Sequence, residues 1–252
     1  MRTCMFCGNK VSTVEDAWPL WLMTRFPGSD KARTYGEIGV RSLGNWPTRK
    51  PTLRVKRLCK DCNNGWMSRL ETVAKPLFES ILDQQPVAID PSAQLILARW
   101  AAKTAMVLDT IDSNRTWFYD ETERLLMCET QIIPQRTSVW IAKCVDHPNI
   151  YSAAKDLWAS PNNADVHAFA TTMGFGSLAL QVVSIRVPAK IPANVAVTYD
   201  VTGGPWDQTL VQVWPASQNA LPWPPKYGLK DELGLEALTE RLNPAKKVYG
   251  KR

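Results

Sequence analysis

Two Cys-x2-Cys pairs, Cys4/Cys7 and Cys59/Cys62, constrain this chain more than any other feature. Under reducing conditions such pairs hold metal more often than they form disulfides. Zinc takes four tetrahedral ligands, and four thiolates close its coordination sphere. Gly8, directly after Cys7, suits the left-handed turn of a metal-binding knuckle. The second pair stands where a helical pattern begins, and first-turn amides with the positive helix end favour thiolates there. The expectation is one structural Zn2+ held by Cys4, Cys7, Cys59 and Cys62. A closed four-sulfur site has no open position, so any reaction needs a second centre. A dithiol redox protein is the alternative, but the thioredoxin-like context of an early strand and helix is absent.

A knuckle first and a helix-borne pair second is the layout of a treble-clef zinc module. Charge follows the same segment. Residues 1–80 carry a net +7, while residues 81–252 carry −1. The densest basic stretch is Arg49, Lys50, Arg54, Lys56, Arg57 and Lys60. Basic residues beside a metal module point to a polyanion, with nucleic acid, DNA foremost, as the expected partner. The bland alternative is a solvated basic loop that keeps the protein soluble. With 45% hydrophobic and 21% charged residues the chain reads as globular. No apolar run approaches the roughly 18 residues of a membrane span, and MRTCMFCGNK lacks a signal-peptide core. The expected location is the cytoplasm, with no membrane partner.

Periodicity supplies the rest. Glu15–Arg25 reads as a short helix capped by Ser12 or Thr13. Residues 27–53 are interrupted by Gly and Pro, with short strands around Gly36–Leu43 and Leu53–Leu58. Trp66, Leu70, Val73, Leu77 and Ile81 recur at helical spacing, with a kink or fresh start expected at Pro76. Asp90-Pro91 fits the cap and first position of a second helix, from Ser92 to about Ile111. That helix is apolar around most of its circumference, apart from Arg99 and Lys103, and reads as central and buried. Strand patterns follow at 137–145, 166–173, 176–187, 193–201 and 208–215, then a closing helix over 229–242. The fold class expected is α+β. A zinc module over residues 1–85 is followed by a helix and antiparallel-sheet region, 86–252, packed on it.

CMFCG, then VEDAWPLWL, then CKDCNNGWMSRLE resembles the HNH (His-Me finger) endonuclease superfamily. The likeness is to a bacterial and phage branch with two Cys-x2-Cys pairs, Glu-His-x-x-Pro-x-Trp and Cys-x2-Cys-Asn-Asn-Gly-Trp. It covers roughly residues 1–75. It implies a ββα element, a divalent cation (Mg2+ or Mn2+) and hydrolysis of a phosphodiester with histidine as general base. By position Glu15 would be a metal ligand, Asp16 would occupy the general-base site and Asn63 would brace the loop behind it. Glu71 would be a second ligand.

Asp16 departs from the pattern. An ordinary Asp titrates near 3.9 and His near 6.5, so Asp is the poorer base at neutrality. Burial or Glu15 could raise it, or Asp16 could bind the cation itself with Glu15 and Glu71. Alternatively, both acids only decorate the first turn of a helix. Neither histidine replaces the base: His147 reads as a loop residue and His167 as packing in a strand. Trp21 and Trp66 read as core, while Trp46 beside the basic run could stack on a base. The expected activity is therefore nucleic-acid cleavage with Asp in the histidine position. The competing expectations are a binder without cleavage and a protein-interaction module.

Overall fold

The computed structural model describes residues 2–26, 32–38, 41–48, 54–111, 116–146, 150–159, 166–188 and 204–242. Arg49, Lys50, His147, the strand expected at 193–201 and the basic tail lie outside these residues. So do the side chains of 32–48, Trp46 among them.

The chain is α+β. It opens with a turn around Cys4–Asn9, then strand β1 (Thr13–Asp16) and the short helix α1 (Leu20–Arg25). Strands β2 (Ala32–Ile38), β3 (Arg41–Thr48) and β4 (Arg54–Leu58) lead to one turn of helix, α2 (Lys60–Cys62). A π-helical turn over Asn63–Met67 passes into α3 (Ser68–Leu82). Strand β5 (Val87–Ile89) precedes the long helix α4 (Pro91–Asp109), and α5 (Glu121–Thr130) follows. Then come β6 (Thr137–Val145), β7 (Ile150–Ala159), β8 (Val166–Phe175) and β9 (Leu178–Arg186). Last are β10 (Leu210–Trp214), β11 (Leu221–Trp223), β12 (Leu229–Lys230) and α6 (Asp231–Glu240).

The main sheet has the order β10-β6-β9-β8-β7-β2-β3, with β12 beside the end of β6. It is mixed rather than purely antiparallel: β2 joins β7 in parallel, and so does β12 with β6. Strands β8 and β9 are buried almost along their whole length because helices cover both faces. Phe169, Met173, Phe175, Leu180 and Val182 meet the α3–α4 side. On the other face Gly174 and Ala179 are small where α6 lies over them, and Gln181 donates to Leu238 O of α6 at 2.8 Å. A Cβ on Gly174 would stand 2.9 Å from Leu235 Cδ1, so a larger residue there would push α6 away.

Helix α4 is the hub. Asp90 caps it by accepting from the Ala93 N–H at 2.8 Å, with Pro91 in the first turn, as the sequence implied. Trp100 packs on Phe78 of α3 (4.6 Å between centroids) and on Phe175 of β8 (6.0 Å). Gln94, fully buried, donates to the carbonyls of Ile89 and Asn219 and accepts from the Ser217 N–H, which ties the C-terminal arm to the hub. One apolar cluster runs from Cys4–Phe6 through Trp18, Trp66 and Phe78 to Trp100 and Phe175, across residue 85.

Two local expectations change. Residues 13–16 are a strand, not the start of a helix. Pro19, at ψ 142, delays the helix until Leu20, and the preceding acids pair with β4 instead. Pro76 neither kinks nor restarts α3. It lies on the exposed side, where water can take the Thr72 carbonyl it frees, and the break falls at Gly65 (φ −94, ψ −109). Among the described residues no helix is long and apolar enough to cross a membrane.

Candidate metal centre and acidic site

The first centre is built from two tight turns. The Cys4 N–H donates to Asn9 O at 2.6 Å and the Gly8 N–H to Cys4 O at 3.0 Å, with Gly8 at φ +74. That positive φ carries the knuckle and suits a residue without a Cβ. The Met5 N–H donates to Arg57 O at 2.8 Å, which lays the knuckle against β4. Cys59 then caps α2, its sulfur accepting from the Cys62 N–H at 3.4 Å.

The four sulfurs of Cys4, Cys7, Cys59 and Cys62 all lie within 4.8 Å of one another, and Cys7 Sγ is 3.5 Å from Cys59 Sγ. A tetrahedral thiolate site needs about 3.8 Å between sulfurs, given metal–sulfur bonds near 2.3 Å. The set is close enough to hold a metal ion and is compatible with structural zinc. Without a cation four sulfurs this close cannot all ionise. Cys4 is pulled down to about 4, foremost by a hydrogen bond from the Cys62 thiol, while Cys62 is pushed far up. A bound cation would resolve that conflict by taking the place of the protons.

A fifth sulfur adjoins the set. Cys128, on α5, has its Sγ 3.7 Å from Cys62 Sγ. Helix α5 is fixed there by Arg124, whose Nε donates to Met5 O at 2.7 Å. Cys144 is remote from metal chemistry: burial pushes its thiol up to about 12.

The second centre contains three of the four residues expected from the sequence, and one that was not. Strand alternation turns neighbouring side chains to opposite sides of β1. Glu15 accepts a short hydrogen bond from Asn63 Nδ2, so Asn63 holds the carboxylate directly. Asp16 instead meets Arg54 Nε of β4 at 3.8 Å, and its Oδ1 is enclosed without a hydrogen bond. Glu71 of α3 accepts from Lys103 Nζ of α4 at 3.0 Å. Lys103 is 2% exposed, and its ammonium lies 5.2 Å from the Trp100 ring centre.

The residues do not fit a three-carboxylate cation site. Among the described residues, only the four cysteines bring three or more His, Cys, Asp or Glu ligand atoms together. Glu15 and Asp16 diverge, and Glu71 is already bound to an ammonium. Sequence reasoning noted Lys103 only as part of a polar stripe. A cation inside a run as apolar as WAAKTAMVL signals a buried partner.

Burial pushes the Glu15 carboxyl above its ordinary range. The Asn63 hydrogen bond opposes this, the Glu71 and Asp16 charges add to it, and Lys103 opposes it. A raised acid binds its proton better folded than unfolded, so stability falls as pH rises from the normal carboxylate range through the folded value. Glu15→Gln removes that loss. In thermal melts the variant should match wild type below about pH 4 and exceed it increasingly as the pH rises towards neutrality.

The basic residues divide. Arg54 and Lys56 alternate on the exposed side of β4. Lys56 lines a cavity of about 390 Å3 with Arg2, Lys10, Ser12 and Thr13. Lys60, exposed, follows at the start of α2, where its N–H donates to Ser12 Oγ at 2.8 Å. Arg57 turns the other way and lies 5.1 Å from the Trp117 ring, which Arg124 also meets at 4.9 Å. Arg2 and Lys10 escaped the sequence reading because they lie outside the basic run; the Thr3–Lys10 bridge brings the two together, and the shared hollow sets them beside Lys56. Trp66 is buried and packs edge-on against Phe6 at 5.0 Å, and Trp21 is half-buried. His167 pairs with Asp156 at 2.7 Å on the main sheet.

None of the family models, characterised proteins or solved structures compared with this chain matches it.

Proposed function

We propose that this chain is a zinc-stapled nucleic-acid-binding protein with an HNH-like, treble-clef layout. The observation that carries the reading is the basic hollow of Arg2, Lys10 and Lys56, flanked by Arg54 and Lys60, beside the four-sulfur centre. Exposed Lys and Arg side chains on a shared surface suit a phosphate backbone. The metal would make that surface rigid by fixing both strands that carry it.

Binding of labelled DNA duplex, single strand and RNA, followed by anisotropy across a salt series, tests this. Affinity should fall steeply with salt, and Lys10→Glu/Lys56→Glu should reduce the slope by about two, one per lost phosphate contact. Absence of binding to any of the three at low salt would overturn the reading.

A second reading, cleavage of the bound nucleic acid, is favoured by the enclosed Asp16 Oδ1, which accepts no hydrogen bond, and by the raised Glu15 carboxyl. It predicts nicking of plasmid or RNA that Asp16→Asn and Glu15→Gln both abolish. Binding without nicking leaves the first reading alone.

A further inference from the structure

An HNH-like layout implies a cation among its acids, yet a protein side chain already brings one to them. Lys103 extends from the buried hub helix α4 to Glu71, 3.0 Å away on α3. Its ammonium is withdrawn from water and lies near the Trp100 ring, so it is a fixed charge rather than a mobile surface one. It also acts electrostatically on Glu15 across the site. On the other side of Glu15, Asn63 donates to the carboxylate, and Asn63 follows Cys62 directly, so the thiol centre sets its position.

We propose that the Lys103 ammonium is the resident cation of the Glu15–Asn63–Glu71 site, in the place where the layout calls for a divalent ion. The inference rests on the HNH-like reading above. The chemistry is that of charge matching. The Glu71 charge acts on Glu15, and two carboxylates that repel one another need a countercharge; a buried lysine supplies one positive charge on three donors. Mg2+ and Mn2+ need several oxygen ligands at about 2.0–2.2 Å, which a carboxylate held by an ammonium cannot offer without losing that partner. The acids of this site then hold together without a divalent ion. Asp16, on the opposite side of β1, is no part of the set.

Mn2+ binding, read by electron paramagnetic resonance on purified full-length protein with its thiol centre loaded, tests the proposal. Wild type should bind no Mn2+ that Glu71→Gln or Glu15→Gln removes. Lys103→Met, which keeps the stem and deletes the charge, should create a Mn2+ site at least tenfold tighter than any in wild type. Adding Glu71→Gln should abolish that site, and Lys103→Arg should stay empty. A stoichiometric wild-type Mn2+ site that depends on Glu15 or Glu71 overturns the proposal, and so does a folded Lys103→Met that gains none. Should Lys103→Met fail to fold, the wild-type, Glu15→Gln and Glu71→Gln arms still decide. Anisotropy with DNA and RNA on the same samples reports separately on nucleic-acid binding. Its loss would sink that reading and leave the manganese result standing.

Discussion

Replacing Cys59 with serine should empty the thiol centre and lower the melting temperature by more than about 10 °C. Structural zinc contributes about 10–16 kcal/mol in small metal modules, as much as the whole stability of a typical domain. At about 2–4 °C per kcal/mol for a chain of this size, a loss of even a third of that is large. The effect should spread, because Met5, Phe6 and Trp66 around the sulfurs belong to the same apolar cluster as Phe78 and Trp100. Cys59 also caps α2, so serine keeps a cap oxygen there and isolates the metal contribution. Metal content by mass spectrometry and melting by circular dichroism, with and without chelator, read the result. Cys144→Ser, at a buried thiol apart from the set, is the control that should keep full metal content. A Cys59→Ser protein that loses its metal and melts as wild type would show that the centre does not hold the fold.

The second large effect is an asymmetry across the Lys103–Glu71 pair. Glu71→Gln should destabilise by about 3 kcal/mol or more, because it leaves a buried ammonium without its partner. Lys103→Met should cost less, since the Glu71 side chain is 29% exposed against 2% for Lys103. The carboxylate left behind can turn to water; the ammonium cannot. Lys103→Met/Glu71→Leu should recover much of the loss, as replacement of a buried pair by apolar groups often does. Denaturant titration of wild type and the three variants measures these costs. Equal costs for the two single substitutions would count against a buried, partner-dependent lysine.

Both effects belong to features of different legibility. The thiol centre could be read directly, since four cysteines in two short pairs leave few geometries. The hub helix was legible for the same reason: Asp90-Pro91 marks its start, and its apolar circumference marks its burial. The acids were visible as residues but not as an arrangement. Their pattern suits a first helical turn equally well, and only pairing with β4 shows that Glu15 and Asp16 face apart. Lys103 lies 32 residues from Glu71, a relation that follows from how α3 packs on α4. Helix α5 carried an unread signal, the capping box of Asp120 and Glu123. Strand β7 was obscured by Lys155 and Asp156. They are charged residues in a strand interior, Lys155 paired with Glu240 of α6 and Asp156 with His167 of the neighbouring strand β8.

The parallel pairing of β2 with β7 bears on how this protein can be taken apart. The loop that leaves Cys7 and returns to Cys59 donates two strands to the main sheet before it comes back. A fragment cut at residue 85 would keep all four sulfurs but strip β2 of its neighbour and lay Phe78 and Ile81 open to water. Expression of the cysteine-bearing half alone would therefore yield a sticky edge and a bare apolar helix face. The four-sulfur centre and the sheet are best produced, and studied, as one piece.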